Sequence, residues 1–319
     1  MVNSATQPHI VLCGCGNIGF RHLQSLLLVK TGCKISIVEP NEAHHDRIRG
    51  EISATDHPHD ISVAHSLPAP RQTLDLLVIA TNAEHRFQAF SDFHQNHDVK
   101  RVIFEKVLFR SLAELEETAQ ILQQDAISAS VNCGRRGFAS YHALKDELAA
   151  AGPLQISVSG ASFGLASNGI HFLDLAEFLT GSELVTLDAS QLEDGFESTK
   201  RAGCVEVFGT LSATLNDGSS LSITCAKTLP VSVKITITSS AGSIEIDEVS
   251  GQITRDGKTQ EFEVMRVSNM PYLYEDLVQE TQSWLTPYDA SARQHHFFIT
   301  ELKKHLGVDT SLSALCPIS

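Results

Sequence analysis

The pattern richest in chemistry is Gly14-Cys15-Gly16-Asn17-Ile18-Gly19, with Glu39 twenty residues beyond the last glycine. Three glycines at this spacing suit a pyrophosphate for separate reasons. Gly14 permits a turn that a side chain would crowd, Gly16 lets the backbone approach the phosphates, and Gly19 lets a helix lie close to a strand. A helix starting here offers N–H groups and the positive end of its dipole to the anion. A carboxylate at Glu39 accepts hydrogen bonds from a ribose 2′-hydroxyl and repels a 2′-phosphate, so NAD is expected over NADP. The spacing reads as a dinucleotide-binding fingerprint only when strands flank it.

The flanks have the right form. Ile10-Val11-Leu12-Cys13 is an apolar run that enters the turn, and Ile35-Ser36-Ile37-Val38 is a second run that ends at Glu39. A third run, Leu74 to Ala80, reads as a strand buried on both faces and carries Thr81, Asn82 and His85 at its end. Val102-Ile103-Phe104 is another strand, ending in Glu105 and Lys106. Ligands of open α/β sheets bind at the carboxyl ends of the strands. Thr81, Asn82, His85 and Glu105 are therefore expected to join Gly14, Gly16, Asn17, Ile18, Gly19 and Glu39 around the cofactor.

Two side chains could move a proton or steady a developing charge. Lys106, at a strand end, could polarise a reacting oxygen and stabilise alkoxide character, or it could be a surface lysine paired with Glu105. His171 opens a helix read over Gly169 to Leu179 and could exchange a proton with a hydroxyl, with Asp174 one turn on to orient it. It could equally be a core histidine bonded to backbone. Arg135, Arg136 and Tyr141 could contact substrate hydroxyls, carboxylate or phosphate, or could form ion pairs.

The 319 residues are enough for two domains, and 42% hydrophobic with 19% charged residues is ordinary for a globular protein. The net charge of −14 argues against nucleic acid and anionic membranes as partners. No apolar run approaches a membrane span, and the first residues lack the regions of a signal peptide. Seven cysteines without framework spacing suit reduced thiols in a cytoplasmic protein. Fifteen histidines, including His44-His45, His57-Pro-His59 and His295-His296, add no convergent ligand set, so no metal is expected.

Further along, Asn41 to Glu51 reads as a short surface helix or loop, and Gln88 to Asn96 as a helix. Ser111 with Glu114 forms a capping-box pattern opening a helix to Gln124. Ile127 to Asn132 is the last strand of the first half, and Tyr141 to Ala150 is a helix stopped by Gly152-Pro153. The second half changes to alternating runs: Leu154–Ser159, Cys204–Leu215, Leu221–Lys227, Val231–Ser239, Ser243–Asp247 and Gln260–Val267. Asn216-Asp217-Gly218 and Asp256-Gly257 are hairpin turns. Helices over Tyr272–Leu285 and Ser291–Leu306 follow. The expected architecture is α/β: a Rossmann domain with a parallel sheet over residues 1–134, and an α/β domain with an open, mostly antiparallel sheet over 135–319.

In order and spacing, Gly14–Gly19 with Arg21-His22, Val78–Thr81, Glu105-Lys106, Asn132–Arg136 and Gly169–Asp174 resemble the glucose–fructose oxidoreductase/inositol dehydrogenase (Gfo/Idh/MocA) family. The stretch Gly164–Asp174 is most similar to a surface-polysaccharide branch. The resemblance implies an NAD(P)-dependent oxidoreductase acting on a secondary alcohol or ketone of a sugar, sugar nucleotide or polyol. It implies Lys106, His171 and Asp174 as catalytic residues, and Arg135, Arg136, Tyr141 and Asn168 at the substrate. It also implies a homodimer or homotetramer formed through the second sheet. A non-catalytic NAD(P)-binding sensor and an NAD-dependent glycoside hydrolase are the alternatives. The chain departs from the family pattern at several positions: Val107 replaces the proline of Glu-Lys-Pro, Asn82 replaces the proline after Thr81, and His85 arrives one residue early. Ser167 stands where the family often has an aspartate, four residues before the histidine.

Overall fold

The computed structural model describes residues 7–67, 70–228 and 230–319. The chain forms two compact units, one made of residues up to Phe109 with Glu116–Asn132 and Arg266–Tyr288, the other of Arg110–Leu115, Cys133–Met265 and Asp289–Ser319.

The first unit is built on a seven-stranded sheet. Its strands are β1 (His9–Cys13), β2 (Lys34–Val38), β3 (Asp60–Ala64), β4 (Leu76–Ile79), β5 (Arg101–Phe104) and β6 (Ser128–Val131), closed by the short edge strand Thr286–Pro287. In space the order is Thr286–Pro287, β6, β5, β4, β1, β2, β3, parallel throughout except for that edge pair. β1 and β4 are buried along their whole length, as unbroken apolar runs require when both faces are covered. β3, at the edge, alternates in exposure and carries polar Asp60 and Ser62. That weak pattern hides it in the sequence. The connecting helices are α1 (Asn17–Leu26), α2 (His45–Ala54), α3 (Ala83–Asn96) and α4 (Leu112–Gln124). α3 starts five residues before the expected Gln88, directly after Asn82.

The units are not consecutive halves, so a division at 134/135 is corrected. Arg266–Tyr288 belongs with the nucleotide-type sheet, and named bonds hold it there. Met270 N–H donates to Ser25 Oγ at 3.0 Å, Thr31 donates to Glu275, and Tyr274 reaches His22.

The second unit has α5 (Ala139–Leu148) and α6 (Leu165–Thr180) with an eight-stranded sheet. Its strands are β7 (Gln155–Ala161), β8 (Leu184–Leu192), β9 (Gly209–Leu215), β10 (Ser220–Ala226), β11 (Ser232–Ser239), β12 (Gly242–Asp247), β13 (Gln252–Arg255) and β14 (Lys258–Glu261). The spatial order is β8-β9-β10-β7-β11-β12-β13-β14, antiparallel except for the β10–β7 pair. In β10 the buried residues Leu221, Ile223 and Cys225 alternate with Ser220, Ser222 and Thr224 on the open face. The hairpin turns fall where Gly218 (φ +87°) and Gly257 (φ +72°) allow them. β8 and β13 are additional to the strands read from the sequence, and Gln260–Val267 is a strand only to Glu261.

Two helices complete the chain: α7 (Tyr272–Val278) in the first unit and α8 (Tyr288–His305). α7 stops well before the expected Leu285, because Glu280 adopts φ +60° and ends the helical path. The Ser111/Glu114 capping box is formed in both directions at 3.2 Å. No helix among the described residues is long and apolar enough to cross a membrane.

Candidate functional site

In the first unit the glycine turn has the shape its spacing requires. Gly14 has φ +82°, and a Cβ on Gly19 would lie 2.0 Å from the Gly14 carbonyl oxygen. A Cβ on Gly16 would meet nothing within 4 Å, which leaves room for a ligand against the backbone. Gly16 caps α1 without a side-chain bond, and the first turn of α1 holds no acid to repel a phosphate. Asn17 is exposed there and Ile18 half-buried.

Glu39 sits at the expected strand end, only 5% exposed. Its carboxylate accepts the Cys15 N–H at 2.6 Å and the Asn41 N–H at 2.9 Å. It thus braces the turn from within, while Arg47 braces it from α2. The Arg47 guanidinium donates to the Cys15 and Gly16 carbonyls at 3.1 and 3.0 Å and lies 4.2 Å from the Phe20 ring centre. Burial, with the charge of Glu39, pushes the Cys15 thiol up to about 12, so it is not a nucleophile at neutral pH. A pocket of about 570 Å³ opens beside the turn, lined by Gly14, Val38, Pro40, Thr81 and His85 among others, a size suited to a nucleoside. Asn82 is exposed at the start of α3.

Lys106 follows β5 and is half-buried. Glu105, expected at the cofactor, is instead 3% exposed and turned into a buried polar chain. Its Oε1 accepts from His22 Nε2 at 2.8 Å and from Asn132 Nδ2 at 2.5 Å. Tyr274 Oη and His22 Nδ1 share a buried hydrogen bond at 2.6 Å, which fixes the orientation of the ring. Burial pushes the Glu105 carboxyl up, but the bonds from His22 and Asn132 and the nearby charges of His22 and Lys106 outweigh it and hold it below the ordinary value. Burial and the Glu105 charge push the Tyr274 phenol well up. A fixed anion therefore stands next to Lys106 in sequence.

Arg86, 2% exposed, secures the same region. Its guanidinium donates to the carbonyls of Thr81 (2.5 Å), Leu108 (2.9 Å) and Val107. It ties the strand end that lines the pocket to the turn after Lys106. The Lys106–Val107 peptide is cis, and Val107 is fully buried.

In the second unit α6 is buried along its length except at Ser167, Asn168, His171 and Thr180. The first three form one polar stripe on an otherwise apolar helix. The helix begins at Leu165, one turn earlier than expected, so His171 lies in the second turn and not at the start. Gly164, at φ +82°, lets the chain turn in, and the Glu206 carboxylate accepts the Ser167 N–H at 2.9 Å. Asn168 Nδ2 donates to the Phe163 carbonyl at 2.6 Å.

Asp174, expected to orient His171, is fully buried and takes a two-pronged bond from Arg136, 2.7 Å at the shorter contact. Arg135 lies 4.4 Å over the Phe172 ring and forks onto Glu248 at 2.7 and 2.5 Å. Tyr141, also fully buried, donates to Glu248 at 2.6 Å. Burial pushes the Glu248 carboxyl up, and Arg135 and Tyr141 more than offset this. Arg135, Arg136 and Tyr141 thus brace the second unit from inside. The sequence reading had no signal for Arg47, Arg86, Tyr274 or Glu206, each of which acts on a partner distant in sequence. The seven cysteines are buried free thiols, and no cluster among the described residues could hold a metal ion.

No protein-family model and no curated protein sequence matches the chain. Solved structures do match it in fold. UDP-N-acetylglucosamine 3-dehydrogenase from Acidithiobacillus ferrooxidans aligns at TM-score 0.70 and 14% identity, over 96% of this chain and 99% of that one. Apo scyllo-inositol dehydrogenase from Lactobacillus casei aligns at TM-score 0.69 and 14% identity, over 94% and 96%. An enzyme of gentamicin A biosynthesis solved in complex with NAD aligns at TM-score 0.69 and 14% identity, over 92% of each chain. This chain therefore shares, nearly end to end, the two-part α/β fold of sugar and polyol dehydrogenases.

Proposed function

We propose that the protein is a nicotinamide-dependent oxidoreductase of the Gfo/Idh/MocA type. It transfers hydride between NAD and a secondary alcohol or ketone of a sugar, sugar nucleotide or polyol. The observation that carries this reading is the open Gly16 at the uncapped start of α1, braced by Glu39 and Arg47, in the same unit as Lys106. The NAD complex of one fold neighbour supports the choice of cofactor class.

The turn Gly14–Gly19, Glu39, Thr81 and His85 would hold the dinucleotide. When bound, the nicotinamide accepts or donates the hydride. Lys106, half-buried after β5, polarises the substrate oxygen and stabilises its alkoxide character. His171 exchanges the hydroxyl proton. Asp174 contributes at one remove, through the buried fork with Arg136 that holds α6 in place. The resemblance of Gly164–Asp174 favours a substrate of surface-glycan assembly, in the cytoplasm, with copies associating through the open sheet face.

The test is a fluorescence titration with NADH and NADPH, followed by a screen of inositols, hexoses and sugar nucleotides for NADH formation. Binding of NADH ahead of NADPH, and turnover that falls at least about 100-fold in both Lys106→Met and His171→Ala, is the expected result. Turnover untouched by either change removes the assignment. Nucleotide binding without turnover of any probe points to a sensor.

A further inference from the structure

Helix α3 forms one wall of the pocket beside the glycine turn. His85, Gln88, Ala89, Asp92 and Asn96 all line it. Their spacing follows the helical repeat, so a single stripe of α3 faces the pocket. The ends of β1 and β2 contribute Cys13, Gly14, Val38 and Pro40, an apolar surface against which a base can lie. His65 lines the pocket too, but its Nδ1 meets the Pro40 carbonyl at 3.3 Å and its Nε2 lies 3.2 Å from Glu42 Oε1. The α3 stripe is therefore where a base would find hydrogen-bonding partners.

On that stripe Gln88 Nε2 donates to Asp92 Oδ1 at 2.7 Å. A carboxylate only accepts, so it holds the carboxamide with its NH2 group towards Asp92. Gln88 keeps a second N–H and its carbonyl oxygen for a ligand, at an exposed position. Burial, with the charges of Glu39 and Asp92, pushes the Cys13 thiol up to about 12, so the Asp92 charge acts across the pocket on β1.

We propose that Gln88 reads the adenine of the dinucleotide and that Asp92 fixes the carboxamide that does so. This rests on the oxidoreductase reading and adds the base that its cofactor must carry. A glutamine carboxamide pairs with adenine twice over: its oxygen accepts from the N6 amino group and its N–H donates to N7. Hypoxanthine and guanine carry an oxygen in place of that amino group. A freely turning carboxamide would flip and donate to this oxygen. Here a flip sets the Gln88 oxygen against the Asp92 carboxylate, acceptor against acceptor. The pair admits adenine and rejects 6-oxopurines.

The experiment titrates wild type, Gln88→Met and Asp92→Ala with NADH and with its hypoxanthine analogue, reading nicotinamide fluorescence in the absence of substrate. Both residues are exposed on α3, so both variants should keep the wild-type melting temperature. Wild type is expected to bind NADH about 10- to 100-fold more tightly than the analogue. Gln88→Met brings the two within about three-fold by weakening NADH. Asp92→Ala narrows the gap by the opposite route, strengthening the analogue, because the released carboxamide can turn over.

Equal affinity of wild type for the two dinucleotides overturns the proposal and leaves the oxidoreductase reading standing, since NADH still binds. A preference that neither substitution changes also overturns it, because a solvated helix pair behaves that way. Failure of both dinucleotides to bind removes the oxidoreductase reading and this one with it.

Discussion

Gly19 shows how much a single hydrogen atom can decide. A Cβ there would stand 2.0 Å from a carbonyl oxygen of backbone that has nowhere to retreat, since the Gly14 N–H is bonded to Val38 at 2.8 Å. Gly19→Ala should lower NADH affinity by more than about 30-fold and reduce the melting temperature, read by titration and calorimetry. Gly16→Ala meets open space, so it should leave the melting temperature nearly unchanged and weaken only the nucleotide. Glu39→Ala should weaken NADH about ten-fold and narrow the preference over NADPH. Two effects combine there: the proposed ribose partner goes, and the Cys15 N–H loses its acceptor.

At the scale of elements, β5, α1 and α7 are joined by one buried polar chain, Asn132–Glu105–His22–Tyr274. Glu105 is held as an anion below its ordinary pKa by the His22 and Asn132 bonds, against the effect of burial. A depressed carboxylate stabilises the fold above its unfolded pKa, and that contribution disappears as the pH falls through the folded value. Urea unfolding should show stability falling below about pH 4 in the wild type, with a shallower slope in Glu105→Gln. Tyr274→Phe should cost about 1–3 kcal/mol, because His22 Nδ1 loses its hydrogen-bond partner in a place water does not reach, and urea unfolding would measure it.

The same chain marks the limit of what the residues disclosed before folding. β1, the glycine turn, α1 and β2 are legible because their signals are local: an unbroken apolar run, fixed glycine spacing, an acid at a strand end. The Ser111/Glu114 cap was readable for the same reason. His22 and Tyr274 are 252 positions apart, and nothing in a one-dimensional pattern joins them. The start of α6 was misplaced because its cap, Glu206, comes from a distant strand. Arg135 and Tyr141 carried types that suit a ligand, and only coordinates show them occupied by Glu248.

At the scale of the whole molecule, the open face of the second sheet is unusual in composition. Ser157, Ser159, Ser212, Thr214, Ser222, Thr224 and Thr236 lie across its central strands, with Lys234 among them. Several of these small, largely uncharged side chains line an open hollow of about 570 Å³, and they suit close approach of another copy, since interface centres are depleted of charge. The association proposed through this face predicts that Ser222→Arg, with its side chain on the open face, sediments as a monomer.

The excursion of the chain back to its first unit has a consequence for biosynthesis. A ribosome delivers the glycine turn long before Arg266–Tyr288, and that later segment must emerge before His22 and Ser25 meet Tyr274 and Met270. The first unit therefore finishes only after the whole second sheet has left the exit tunnel. Nascent chains stalled before this segment should be cleaved by protease within the nucleotide module, and those stalled well beyond it should resist.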